Sequence, residues 1–148
     1  MWKIPKKKDR PCIDEYGRNE LHYAALENKP EQILKHIKKG ADINAQDDNG
    51  FSTLHFAVQE NNREIVKILL DNHAQVDLKD HYGNTALMRA LSSCYAAMTN
   101  SEPDPGAIIK MLLQAGADPY SKNNYGVTII ESAKDCDKDL KQFFDGYI

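Results

Sequence analysis

Asp47-Asp48-Asn49-Gly50-Phe51-Ser52-Thr53-Leu54-His55-Phe56-Ala57 is the stretch that decides the fold, because its pieces recur along the chain. An acidic or amide residue three places before a glycine appears at Asp14 and Gly17, Asp47 and Gly50, Asp80 and Gly83, and Asn123 and Gly126. Gly17, Gly50 and Gly83 lie 33 residues apart, and Gly126 follows 43 after Gly83, which marks an insertion of 10 in the third copy. A period in this range signals one supersecondary unit stacked in an array. Fold class follows from that period, and the question of function becomes which surface binds what.

Laid over one another, the copies resemble the ankyrin repeat. The family pattern runs from DxxG through a TPLHxA segment that opens a first helix, then a second helix ending in leucines, then GAD(V/I)N. The second copy reads Gly50-Phe51-Ser52-Thr53-Leu54-His55-Phe56-Ala57 and continues Glu64-Ile65-Val66-Lys67-Ile68-Leu69-Leu70, while the first ends Gly40-Ala41-Asp42-Ile43-Asn44. Leu21, His22 and Ala24 hold the same offsets in the first copy, Thr85, Leu87 and Ala90 in the third, and Thr128 and Ala133 in the fourth. The resemblance covers the chain from Asp14 onward. It implies an all-α ankyrin repeat solenoid of about four helix-turn-helix repeats with β-hairpin-like fingers. A single domain over 1–148 is expected: an N-terminal segment at 1–13, repeats at 14–46, 47–79 and 80–122, and a degenerate capping repeat at 123–148.

Departures from the pattern carry information. His73 stands where Gly40 and Gly116 close the second helix of other copies. Residues with a Cβ tolerate a left-handed helix end less well than glycine, so strain is expected there. The helix-opening histidine, His22 and His55 in the first two copies, is Met88 in the third and Glu131 in the fourth. The family uses that histidine to bond backbone near the helix start, so the bond is put in question in the last two copies.

Read without the resemblance, the residues give the same architecture. Ile65, Ile68 and Leu69 recur at helical spacing, as do Ile108, Met111 and Leu112, with Lys67 and Lys110 outside those stripes. One helix pair cannot bury such a face alone, whereas stacked neighbours make a continuous core. Alanines 24, 57, 90 and 133 recur where helices must approach closely. The insertion falls near 92–106, and its first part, Ser92 through Met98, contains no helix breaker. The first helix of that repeat is therefore expected to run about two turns further before the Pro103 and Pro105 loop ends it.

Composition narrows the function classes. Net charge is −3 with 28% charged residues, and no apolar run approaches the ~20 residues of a membrane span. The start, with Lys6, Lys7, Lys8 and Arg10, has no apolar core and is not expected to act as a secretory signal; a cytoplasmic location is expected. Trp2 and Ile4 are candidates to cover the first repeat as a cap. Cys12, Cys94 and Cys136 are too few and scattered for a disulfide framework and read as reduced packing residues. No P-loop, GxSxG, HExxH or CxxC motif occurs, so no catalytic residue, metal site or cofactor is expected.

A surface for holding another protein remains. In the family the finger tips and first helices form one concave face that contacts partners. Carried onto this sequence, the positions flanking the finger glycines include Glu15, Tyr16, Arg18, Asp48, Asn49, Phe51, His81, Tyr82, Asn84, Asn124, Tyr125 and Val127, with Tyr23, Phe56 and Arg89 on the first helices. Three of the four residues just before the glycine are tyrosines, which offer contact area and a polar tip at little entropic cost. Phe51 and Phe56 rank highest as candidates because they have no polar tip to satisfy. Tyr95 and Met98, three apart on the insertion's helix, form a second candidate patch. The expected function is non-catalytic protein binding, as an inhibitor, an immunity protein neutralising a cognate toxin, or a small scaffold, with no membrane, nucleic-acid or small-molecule partner. The alternative is a regulatory or nucleic-acid-associated factor using the basic amino terminus, whose binding would collapse with rising salt.

Overall fold

Among the described residues the chain forms seven α-helices and no named strand. A computed structural model describes residues 14–100, 103–104, 106–134 and 141–147. Trp2, Ile4, the Lys6–Lys8 and Arg10 run, Cys12, Pro105 and Cys136 lie outside the described residues. The helices are α1 (Glu20–Leu26), α2 (Pro30–Lys38), α3 (Thr53–Gln59), α4 (Arg63–Asp71), α5 (Ala86–Thr99), α6 (Ala107–Gln114) and α7 (Ile129–Lys134).

Five of the seven described helices begin where a side chain meets an orphan amide. Asn19, Ser52 and Thr85 accept from the backbone N–H three residues on, and so does Asn62 ahead of α4. In α2 Pro30 occupies the first turn, where its missing N–H removes no helical bond. Helices α1, α3, α5 and α7 contact one another in sequence to make an inner layer, and α2, α4 and α6 an outer one. The apolar stripes meet between the layers: Ile65, Val66 and Leu69 are buried with Ile108, Ile109 and Leu112, and Ile68 and Met111 pack at the margin. The recurring alanines Ala24, Ala57, Ala90 and Ala133 are all buried, consistent with close helix approach.

The insertion lengthens the inner layer in one place. Helix α5 has 14 residues against 7 in α1 and α3, the expected extension of about two turns. Beyond it, the Arg63 guanidinium donates to the carbonyls of Pro103 (2.6 Å) and Asp104 (2.8 Å), tying the returning loop to α4. Lys110 pairs with Asp104 at 3.0 Å. A 3-10 turn, Gln142–Phe144, buries Phe144 completely. The Phe143 ring lies where a Cβ on Gly106 would sit.

Fingers connect the layers, and they are bonded to one another. The Asp48 amide donates to Tyr16 (2.9 Å), His81 to Asn49 (3.0 Å) and Asn124 to Tyr82 (2.9 Å), in each case to the carbonyl of the neighbouring finger. Glycine is required here twice over. Gly50 has φ +80°, and a Cβ on it would lie 2.8 Å from the Asp80 Cα and 2.9 Å from the His81 amide. Gly126, in the last finger, has φ +75° with nothing within 4 Å. Gly50→Ala is therefore expected to cost more than Gly126→Ala: about 3 kcal/mol or above, against the ~1–2 kcal/mol of the backbone conformation alone. Urea midpoints of the two variants check this, and equal losses would remove the close-approach argument.

The His73 turn is left-handed, with φ +63°, and the His73 amide donates to Leu70 as Gly40 and Gly116 donate to Ile37 and Leu113. The two glycines have open space around them, so conformation alone distinguishes the three sites. His73→Gly should raise stability by about 1 kcal/mol, several degrees in Tm for a domain of this size. An unchanged or lowered Tm would reject the strain.

Candidate functional site

Four finger residues at equivalent positions organise the inner-helix face. One oxygen of each closes its own turn: Asp14 Oδ1 accepts from Tyr16 and Arg18, Asp47 Oδ1 from Asn49 and Phe51, Asp80 Oδ1 from Tyr82 and Asn84, and Asn123 Oδ1 from Tyr125 and Val127, all between 2.8 and 3.1 Å. In the three aspartates the second oxygen faces a side-chain donor. Tyr23 donates its hydroxyl to Asp14, Arg18 pairs with Asp47 at 3.4 Å, and Arg89 grips Asp80 through Nε (2.9 Å) and Nη2. The Tyr23 phenol pKa is raised because its proton is held by Asp14. Burial pushes the Asp14 carboxyl up, but the Tyr23 hydroxyl and the Arg18 and Tyr16 amides outweigh it and hold that carboxyl below its ordinary range.

Arginines and phenylalanines then form a stacked row. The Arg18 guanidinium lies 5.3 Å from the Tyr16 ring and 5.1 Å from Phe56, the Phe56 and Phe51 rings are 5.3 Å apart, and Arg89 covers Phe51 at 4.3 Å. This corrects the ranking of Phe56 and Phe51 as leading contact residues. Phe56 is 4% exposed and meets His22 edge-on at 5.6 Å, while half-buried Phe51 meets His55 at 5.7 Å. Both rings are consumed in packing because each is flanked by an aromatic and a cation within reach. Arg18 and Arg89 are likewise half-buried and paired.

The other sequence candidates divide. Met98 is half-buried and packs against the core, whereas Tyr95, three residues earlier, is 60% exposed. Asn84 is structural: its carbonyl accepts from His55 and its side-chain oxygen from Asn123. At the finger tips Tyr16, Tyr82 and Tyr125 are 53%, 55% and 74% exposed. Asn49 and His81 are exposed beside them, and Asp48 is half-buried. Cys94 is a free, buried thiol in the core.

Sequence reasoning questioned the helix-opening bond in the last two copies, and the two copies differ. In the first two, Nδ1 of His22 and His55 accepts from Asn19 and Ser52, which puts the proton on Nε2, and Nε2 donates to a carbonyl of the next finger, Ala45 (2.9 Å) or Asn84 (3.1 Å). Glu131 replaces the near half of that bridge: Oε2 accepts from the Thr128 amide (2.8 Å) and hydroxyl (3.0 Å), and its own amide donates back to Thr128 Oγ1. Met88 receives the Thr85 cap and returns nothing.

These repeats are those of a known family. The family model for ankyrin repeats, in 3 copies, matches residues 21–123. The chain belongs to the ankyrin repeat family. No curated protein matches it. Ankyrin repeats are generally non-catalytic modules that bind other proteins. Among the described residues of this ankyrin array no group of three or more His, Cys, Asp or Glu is arranged to hold a metal ion, and no helix is long and apolar enough to cross a membrane.

The two bridging histidines give the array a pH dependence with a defined sign. Burial lowers both pKa values below the ordinary 6.5, against smaller opposing effects of their carbonyl bonds. The unfolded chain therefore binds protons first as pH falls, and stability present above about pH 6.5 is progressively lost below it. Urea midpoints are expected to fall between about pH 6.5 and 5, with a shallower slope in a His22→Asn, His55→Asn variant. A flat wild-type midpoint over that window would contradict neutral, bridging histidines.

Proposed function

We propose that the chain is a rigid recognition element that holds a protein partner against the finger tips and inner-helix row, acting by occupancy. The observation that carries this reading is the exposure of Tyr16, Tyr82 and Tyr125 at equivalent finger positions. A tyrosine repeated at one offset for packing would be buried against the next finger. These three instead present more than half their surface, while the fingers beneath them are fixed by amide-to-carbonyl bonds. Large rings on a preorganised backbone lose little freedom on binding. Tyr95, on the extension of α5, supplies a fourth exposed ring beyond the ends of the other inner helices.

An inhibitor or immunity protein is the form of this function that suits a binding array best: covering a partner's working surface needs only shape, area and rigidity. Asn49 and His81 lie beside the tyrosines and supply adaptable polar contacts, with Arg18, Tyr23, Asp48, Asn84 and Arg89 behind them as the supporting row.

Capture from the source cell with the wild-type chain, followed by titration of the identified protein with purified material, tests the reading. A Tyr16→Ala, Tyr82→Ala, Tyr125→Ala variant that remains folded should bind at least tenfold more weakly, since truncating a contact ring costs about 1–2 kcal/mol. Unchanged affinity would exclude the finger tips. Undiminished activity of the bound partner would exclude inhibition while leaving binding intact.

A further inference from the structure

The stacked row of the inner face stops at Arg89. At the next position along it, the residue equivalent to Phe51 and Asn84 is Val127, and the residue equivalent to Phe56 and Arg89 is Ser132. Arg89 is turned toward Phe51 and Asp80, and Met88 stands where His22 and His55 bridge to the following finger. A cleft of about 250 Å³ is left between α5 and the fourth repeat. Its apolar wall is Met88, Leu91, Val127 and Ile129.

The polar side of the cleft has a defined polarity. Asn123 Oδ1 accepts two backbone amides, from Tyr125 and Val127, so the Asn123 amide orientation is fixed and its Nδ2 is the donor to Asn84 Oδ1. Asn84 must then present its oxygen to Asn123, which leaves Asn84 Nδ2 as a donor with no partner among the described residues. The second proton of Asn123 Nδ2, the Ser92 hydroxyl and the Arg89 guanidinium line the same space. Among the described residues no acidic residue lines it. Glu131, nearby in sequence, is committed to Thr128. Among the described residues Arg89 is the cation that lines the cleft, and the same guanidinium holds Asp80.

We infer that this cleft receives a glutamate side chain of the bound partner, its carboxylate taken by the Asn84 and Asn123 amides beside Arg89 and its methylenes laid against Met88, Leu91 and Val127. This rests on the inner face being the docking surface, and it adds an anchor of stated chemistry to the tyrosine row. An acceptor-only group satisfies the amide donors, an aliphatic stem covers the apolar wall, and Arg89 beside the site favours the ionised form. A leucine would leave the donors unmet, and a lysine would set a second cation beside Arg89 and the amide donors.

The test needs no natural partner. The blocked peptides Ala-Ala-X-Ala-Ala, with X as Glu, Gln, Leu or Lys, are titrated to about 10 mM against nitrogen-15-labelled chain, a range suited to single-residue contacts. The Glu peptide should saturate shifts of the Asn84 and Asn123 side-chain amides, at least threefold more tightly than Gln, with Leu and Lys inert. Ser92→Asp, at an exposed site and with its fold checked by circular dichroism, should weaken the Glu peptide fivefold or more. Preference for Leu, equal binding of Glu and Gln, or absence of shifts with every peptide would each overturn the assignment. None of these outcomes bears on the tyrosine variant, so failure of the cleft is distinguishable from failure of the finger-tip reading.

Discussion

The side-chain oxygen at the base of each finger, a carboxylate in three of the four, is the group on which the rest of the array depends. The side chains of Asp47 and Asp80 are fully buried, where an unpaired charge would cost several kcal/mol. Each is held by two amides of its own turn and by an arginine, Arg18 of the preceding finger for Asp47 and Arg89 of α5 for Asp80, so one group fixes the turn and fastens it to a neighbouring element. The residue equivalent to these aspartates and its donor change together along the chain. Asp14 faces Tyr23, Asp47 faces Arg18, Asp80 faces Arg89, and the neutral Asn123 belongs to the repeat with Ser132 in the arginine's place. With the short Ser132 where the other copies carry Tyr23, Phe56 and Arg89, there is room for a cleft.

Most of the fold was legible in the sequence because it rests on local, repeated chemistry. Glycine at a fixed interval, a capping side chain before each inner helix and apolar stripes at helical spacing each have one structural solution, and the 14-residue α5 followed from the absence of a breaker before Pro103. The left-handed turn at His73 was legible for the same reason, by comparison with Gly40 and Gly116.

The site was legible only in part, since exposure depends on neighbours 29 to 43 residues away, beyond any local pattern. Phe51 and Phe56 have the composition of contact residues, but the arginines that stack on them come from other repeats. Tyr95 and Met98 share a helix face by spacing, yet only Met98 finds the core beneath it. Glu131 shows the opposite failure: a departure from the family residue concealed a retained function, because a carboxylate accepts from the same two groups of a capping threonine.

A solenoid couples each repeat only to its neighbours, so a junction without a bridge must be held some other way. Among the described residues the junction between the third and fourth repeats has no bridging histidine and no stacked ring, and this is where the insertion and the C-terminal turn do their packing. Phe144 enters the core, Phe143 lies over Gly106, the Tyr120 hydroxyl donates to the Tyr147 carbonyl, and Arg63 holds the loop that leads into α6. These contacts lie outside the cleft lining. Cohesion at this end of the array therefore comes from contacts that leave the inner face open. The cleft can persist without loss of order there because the residues that would otherwise have closed it are not the ones that hold the last repeat in place.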